Sequence, residues 1–189
     1  MPVIKRCPWC GNDPQYVAYH DQEWGVAVKD DVALFNKLTL DTFQSGLSWL
    51  VVLRKREAIV DVLHLDDPDQ LARWTSQDVD RALQDARIIR NRSKIEAAVN
   101  NAQIFLELRD AGTSLSDLLW SHVGGRTRIN TWERDAQIPA RTDEGDAMAK
   151  ALKSLGFKWT GPTVCYAFMQ AVGMVNDHLV SCHRYRDCM

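Results

Sequence analysis

The stretch NRSKIEAAVNNAQIFLELRDA, Asn91 to Ala111, decides the fold. Ile95, Ala98, Val99, Ala102, Ile104, Phe105 and Leu108 recur there at three- and four-residue steps, one apolar face of a long helix. Gly112 suits the position just past its end. Working upstream, Thr75 and Asp78 fit a capping box ahead of Val79, Ala82 and Leu83. Asp30 or Asp31 can cap a helix carrying Leu34, Phe35 and Leu38, and Ser48 can cap one carrying Leu50, Val51, Leu53, Ile59, Val60 and Leu63. Downstream, Ser114 and Asp117 form another box, and a helix from about Asp143 to Ser154 ends ahead of Gly156. Thr160 can cap the last long helix, with Pro162 in its first turn and Gly173 as its stop. No β-branched alternation runs for six residues, so the pattern predicts an all-α orthogonal bundle of roughly eight helices. Gly124 to Arg141 reads as a long surface loop around Trp132.

Nothing in the 189 residues marks a linker, a repeat or a low-complexity tract, which predicts one domain. With 46% hydrophobic and 25% charged residues the chain is neither collagenous nor disordered. No apolar run is long enough to span a membrane. The start runs into Cys-Pro-Trp-Cys instead of an apolar signal core, so the five cysteines are expected in a reducing, cytoplasmic compartment. The net charge of −2 carries no global nucleic-acid signature, but the charges are uneven. Glu57 to Asp85 holds eight acidic residues; Arg87, Arg90, Arg92 and Lys94 follow directly, and Arg54, Lys55 and Arg56 form a second cluster. These read either as solvated helix ends or as a phosphate-binding face.

Metal-type residues gather at the two ends. Cys7, Cys10 and His20 lie near the start, and His178, Cys182, His183 and Cys188 near the finish. Thiolate and imidazole in sets of four suit zinc, and His178 with Cys182 are spaced to face one point. Spacing alone leaves Cys7 and Cys10 equally open as ligands.

Several segments together resemble the bacterial DNA-3-methyladenine glycosylase I family, within the helix-hairpin-helix glycosylase superfamily. They are YVAYHDQEWG (Tyr16 to Gly25), SGLSW (Ser45 to Trp49), VLRKRE (Val52 to Glu57), IIRNRSKI (Ile88 to Ile95) and FKWTGPTVCYAFMQAVGMVNDH (Phe157 to His178). The resemblance implies a helix-hairpin-helix bundle whose termini are joined by one structural zinc on Cys7, His20, His178 and Cys182. Cys10, His183 and Cys188 then become spectators. Residues 1–30 and 157–189 would form a zinc-tied terminal subdomain around a helical core, 31–156, with the hairpin near 86–94.

It further implies a monofunctional repair enzyme that hydrolyses the N-glycosidic bond of 3-methyladenine in alkylated duplex DNA and leaves an abasic site. Such an enzyme works as a monomer in the bacterial cytoplasm, on the nucleoid, with no nucleotide cofactor. By resemblance Trp49 stacks on the extruded base, Tyr16, Tyr19 and Gln44 line its pocket, and Asp41 stands where the family carries a glutamate. Charge on the methylated base is expected to favour these π faces. Arg87, Arg90, Arg92, Ser93 and Lys94 are expected at the DNA phosphates. Two departures qualify the match. Asp41 is one methylene short and its neighbours Thr42 and Phe43 are unusual; Arg87 and Ser93 replace hairpin glycines. A glycosylase for another modified base, or a nonenzymatic lesion-binding protein, would share the same scaffold.

Overall fold

The structure, a computed structural model, describes residues 4–189. It holds nine α-helices among those residues: α1 (Pro14–Gln22), α2 (Asp31–Gln44), α3 (Trp49–Leu63), α4 (Pro68–Ala72), α5 (Ser76–Ala82), α6 (Arg92–Asp110), α7 (Leu115–Trp120), α8 (Asp143–Ser154) and α9 (Pro162–Ala171). No helix among them is long and apolar enough to cross a membrane.

Helix α2 is the centre, packed against α3, α6, α7 and α9. Its Leu34, Phe35, Leu38 and Phe43 are fully enclosed, with Ile95 and Ala98 of α6 and Phe168 of α9 in the same core. Short polar side chains fix where the helices begin. Asp30 accepts from Ala33 N at 2.8 Å, and Asp31 reaches across to cap α7 through Leu115 N and Ser116 N. The Thr75–Asp78 box forms as expected. Two caps differ: Ser48 makes no side-chain cap bond, and α9 starts from Gly161 instead of Thr160. Pro162 occupies the first position of α9, where no N–H partner is needed.

The long connection from Gly124 to Arg141 is more ordered than its composition suggests. Arg128–Ile129 (β1) pairs in parallel with Val175–Asn176 (β2), and Val180 N donates to Trp132 O at 2.9 Å. The anchor is Asp177, wholly buried. Its carboxylate accepts from Asn130 Nδ2 and Trp132 Nε1 at 2.7 Å each on the loop side. On the α9 side it accepts from Tyr166 Oη at 2.7 Å and Gln170 Nε2 at 2.8 Å. Four donors on one carboxylate hold the loop against α9. Gly173, at φ +70°, allows the chain to turn back beside residues 25–27; a Cβ there would sit 2.6 Å from Ala27 N.

Asp177→Asn replaces acceptor lone pairs by an amide that faces donors. We expect a loss of about 2–4 kcal/mol in chemical denaturation, since buried donors left unpaired cost about 1–3 kcal/mol each. Enhanced proteolysis between Gly124 and Arg141 should accompany it.

Candidate functional site: a thiolate–imidazole clasp beside an aromatic cavity

The segment before α1, the last turn of α1 and the chain that follows β2 meet at the clasp. Cys7, His20, His178 and Cys182 are all buried, with their ligand atoms within 4.8 Å of one another. Cys182 Sγ lies 3.5 Å from His20 Nε2 and 3.6 Å from His178 Nδ1, and Cys7 Sγ lies 3.6 Å from His178 Nδ1. A tetrahedral zinc with ordinary Zn–S and Zn–N lengths separates sulfur from nitrogen by about 3.6 Å, so the donor set fits that ion. The outer atoms are also arranged for it. His20 Nδ1 meets Asp21 Oδ1 at 2.7 Å, and His178 Nε2 meets Trp24 O at 3.1 Å, each fixing the ring that presents the other nitrogen.

The two sulfurs compete for one negative charge. The Cys7 thiol, then His178 and His20, hold Cys182 far below the usual thiol range, while the same partnership and burial push Cys7 up. A divalent cation lets both ionise. Four protein ligands leave no open coordination position, which makes a zinc here structural. Cys10 donates to Cys7 O at 3.2 Å and points away from the cluster. His183 and Cys188 are likewise outside the set of four. Gly25, at φ +83°, passes so close that a Cβ would stand 3.0 Å from His178 Nε2.

Against this clasp lies a cavity of about 320 Å³. Trp9, Tyr16, Tyr19, Trp24 and Trp49 supply aromatic walls, Lys37, Asp41 and Gln44 come from α2, and Gln170 from α9. Asp135, Ile138 and Pro139 of the pinned loop close one side. The aromatics form a cluster that begins at the metal ligands: Trp24 meets His178 edge-on at 4.6 Å, Trp9 lies 5.0 Å from Trp24 and 5.1 Å from Tyr16, and Tyr19 lies 5.3 Å from Trp49. The structure therefore brings together every expected pocket residue: Asp41, Trp49, Tyr16, Tyr19 and Gln44.

The polar chemistry of the cavity is unfinished. Four buried side-chain polar atoms lack a hydrogen-bond partner among the described residues, and three belong to its lining: Trp9 Nε1, Trp49 Nε1 and Asp41 Oδ2. Burial pushes the Asp41 carboxyl up, opposed by Lys37, and lowers Lys37, opposed by Asp41. Lys37 pairs with Asp41 Oδ1 and stands 4.1 Å from the Trp49 ring centroid. No motif anticipates Lys37. The available signal is its four-residue spacing to Asp41, on a helix face otherwise filled by Leu34 and Leu38.

The basic residues divide. Lys94 departs from the expected phosphate set: it is buried, and its Nζ donates to Phe43 O at 2.8 Å and Ser45 O at 2.6 Å. It sits one turn into α6 facing the core, where its ammonium satisfies carbonyls left open by the end of α2. Arg87 is exposed but engaged by Asp85 and Asp61, and Arg92 pairs with Asp80 and Glu96. Arg90 and Ser93 are exposed beside the start of α6. Arg54 and Arg56 pair with Asp13 and Glu23, while Lys55 donates to the carbonyls of Ala86 and Arg87 and so ties α3 to the turn.

Known proteins are similar to this chain along nearly all of its length. Residues 9–185 match the methyladenine glycosylase family. The chain is 44% identical over 182 residues to DNA-3-methyladenine glycosylase 1 of Escherichia coli (strain K12), covering 96% of this chain and 97% of that one. It is 42% identical over 180 residues to DNA-3-methyladenine glycosylase of Haemophilus influenzae, covering 95% and 97%. A crystal structure of 3-methyladenine DNA glycosylase I matches with a TM-score of 0.93 at 46% identity, covering 95% of this chain and 98% of that one. Identity at that level, end to end and on one fold, makes this chain a member of the methyladenine glycosylase family.

Proposed function

We infer that the protein is a base-excision repair glycosylase that releases 3-methyladenine from alkylated DNA. The observation that carries this reading is the aromatic cavity, three of whose lining residues (Trp9, Asp41 and Trp49) each keep a buried polar atom without a partner. A flat heterocycle fits between such faces, and its edge can meet the orphaned donors and acceptor. The names of the relatives give the same substrate.

The chemistry asks little acid catalysis of the protein. Methylation at N3 leaves the nucleotide positively charged, so its glycosidic bond is weak and the base departs neutral. The C1′–N9 bond breaks with its electron pair going to the base, and water adds at C1′ and gives up a proton to solvent. The protein must extrude the nucleotide and hold the base. Trp49 and Tyr16 supply stacking, Tyr19 and Gln44 shape the walls, and Asp41 accepts a hydrogen bond from the adenine amino group through Oδ2. Stacking on an aromatic side chain is worth roughly 1–3 kcal/mol per base.

The finer architecture belongs to the same proposal. Helices α5 and α6 with the turn between them serve as a helix-hairpin-helix, and residues 1–30 with 157–189 as a zinc-tied subdomain around 31–156. At the hairpin, the exposed Arg90 and Ser93 and the first N–H groups of α6 approach a phosphate. Arg92 and Arg87 join only by exchanging their carboxylate partners, and Lys94 stays inside. The protein acts on duplex DNA as a cytoplasmic monomer.

Three tests follow from these assignments. In single-turnover release of 3-methyladenine from methylated duplex, Trp49→Ala and Asp41→Asn should each lower the rate at least tenfold, the kinetic equivalent of about 1.4 kcal/mol. Parent-like rates in both variants would put the base elsewhere. Because Trp24 and Tyr19 adjoin the metal ligands, stripping zinc should change tryptophan emission and abolish base release together; an apo-protein with parent emission and activity would refute the coupling. Arg90→Ala should weaken damaged and undamaged duplex alike and reduce the salt slope of binding by about one. Arg92→Ala should do less, since that guanidinium already has two carboxylates. An unaltered slope in Arg90→Ala would remove the hairpin from the interface.

A further inference from the structure

The segment Cys7-Pro8-Trp9-Cys10 carries two sulfurs, and the clasp uses only the first of them. Pro8–Cys10 form a single tight turn, closed by Cys10 N donating to Cys7 O at 3.4 Å. Such a turn holds its end Cα atoms within about 7 Å of each other, a span that a disulfide can bridge. Cys10 is as buried as Cys7 and is a free thiol, whose sulfur donates to Cys7 O at 3.2 Å. A cysteine that binds no metal is thus anchored on the backbone of one that does.

The other two spare thiols do not share a turn with a ligand. Cys165 donates to Thr160 O at 3.6 Å, and Cys188 faces the Arg184 guanidinium at 3.8 Å. Over the Cys7–Cys10 turn the cover is shallow, with Pro8, Gly11 and Asn12 exposed around it. Helix α1 is capped separately by Asp13, which accepts from Gln15 N and Tyr16 N. The turn can therefore open to solvent as a local event while α1 stays formed.

We propose that Cys7 and Cys10 form an oxidation site, a reversible dithiol that peroxide converts to an internal disulfide, taking one sulfur from the clasp and releasing its zinc. The Cys7 thiolate attacks one oxygen of hydrogen peroxide. The O–O bond breaks, leaving a sulfenic acid on Cys7 and a hydroxide that takes a proton from solvent. The Cys10 sulfur then attacks the Cys7 sulfur, the S–O bond breaks, and the hydroxide leaves as water with the Cys10 proton. Two electrons pass from the pair of sulfurs to the peroxide. His20, His178 and Cys182 remain, one donor short of a closed zinc site. Trp9 lies between the two cysteines and packs on Trp24 and Tyr16 at 5.0 and 5.1 Å, so the change reaches the chamber wall. Cys182 is the rival partner for Cys7, but it is itself engaged as a ligand, whereas Cys10 is free. The inference stands on the clasp and holds whichever base the chamber accepts.

Zinc-loaded protein treated with hydrogen peroxide, with a chromogenic chelator reporting zinc release, tests it. The parent should release its zinc, and its tryptic peptide from Cys7 to Lys29 should become lighter by two hydrogens. Dithiothreitol and added zinc should then restore zinc content and tryptophan emission. Cys10→Ser and Cys10→Ala should hold zinc and release base like the parent before treatment. Under peroxide they should lose zinc several-fold more slowly, with Cys7 gaining oxygens that dithiothreitol does not remove. Zinc loss as fast and as reversible in both variants overturns the proposal. So does a peptide map that joins Cys7 to Cys182, or a parent that keeps its zinc after the exposed Met189 has been oxidised. Should either variant fail to bind zinc at the outset, the peptide map of the parent decides alone.

Discussion

Cys7 and His20 come from the first segment of the chain, His178 and Cys182 from the last, and the pocket is built on their meeting. Ligand His20 adjoins Tyr19 in sequence, and ligand His178 is flanked at 4.6 Å by Trp24, whose carbonyl also fixes its ring. Trp9, two residues beyond Cys7, packs on His20, Trp24 and Tyr16. Three of the five aromatic walls, Trp9, Tyr19 and Trp24, thus stand directly on the clasp, with Tyr16 packed on Trp9 and Trp49 on Tyr19. A metal that never touches a reacting atom still sets the cavity's shape, because each wall is held by the residue beside it. The clasp and the chamber are neighbours within one aromatic stack.

A second set of interactions keeps the turn before α6 in register with that chamber. Lys94 reaches back from α6 to the carbonyls of Phe43 and Ser45, at the head of the turn leading to Trp49. Lys55 reaches from α3 to the carbonyls of Ala86 and Arg87 in the turn before α6. Two buried or bridging ammonium groups therefore connect α2, α3 and α6 around the point where a base would enter. Charge counted as a phosphate signal in the sequence is spent here on backbone carbonyls. A flat count of basic residues overstates the nucleic-acid face for that reason.

The helices were legible because their apolar spacing and their capping residues agree, as at Thr75 with Asp78 and along Ile95 to Leu108. The metal ligands were legible only in part. Spacing left Cys7 and Cys10 open, and the family pattern chose between them; the structure turns Cys10 toward Cys7 O and away from the cluster. The loop from Gly124 to Arg141 was not legible, because its order comes from Asp177, more than thirty residues away, and from a two-residue pairing too short to leave an alternating pattern. Lys94 was misassigned because sequence neighbours on a helix point to different faces. Its partners at Phe43 and Ser45 lie far off in the chain.

The lysine–aspartate pair on α2 is a poor device for stability, and this bears on why it is there. A basic residue four positions before an acidic one is the weaker order for helix pairing and opposes the helix dipole. Burial penalises both charged forms, driving Asp41 up and Lys37 down. Buried ion pairs seldom repay their desolvation relative to apolar side chains of similar size, and Leu34 and Leu38 show that this face accepts leucine. Asp41 Oδ2 is left with no partner, a further cost. Each of these terms would be relieved by replacing the pair with apolar side chains. The chain keeps the arrangement at the one place where α2 borders a cavity walled by five aromatic rings. Folding alone therefore does not account for a pair that costs stability and stands where α2 borders this chamber.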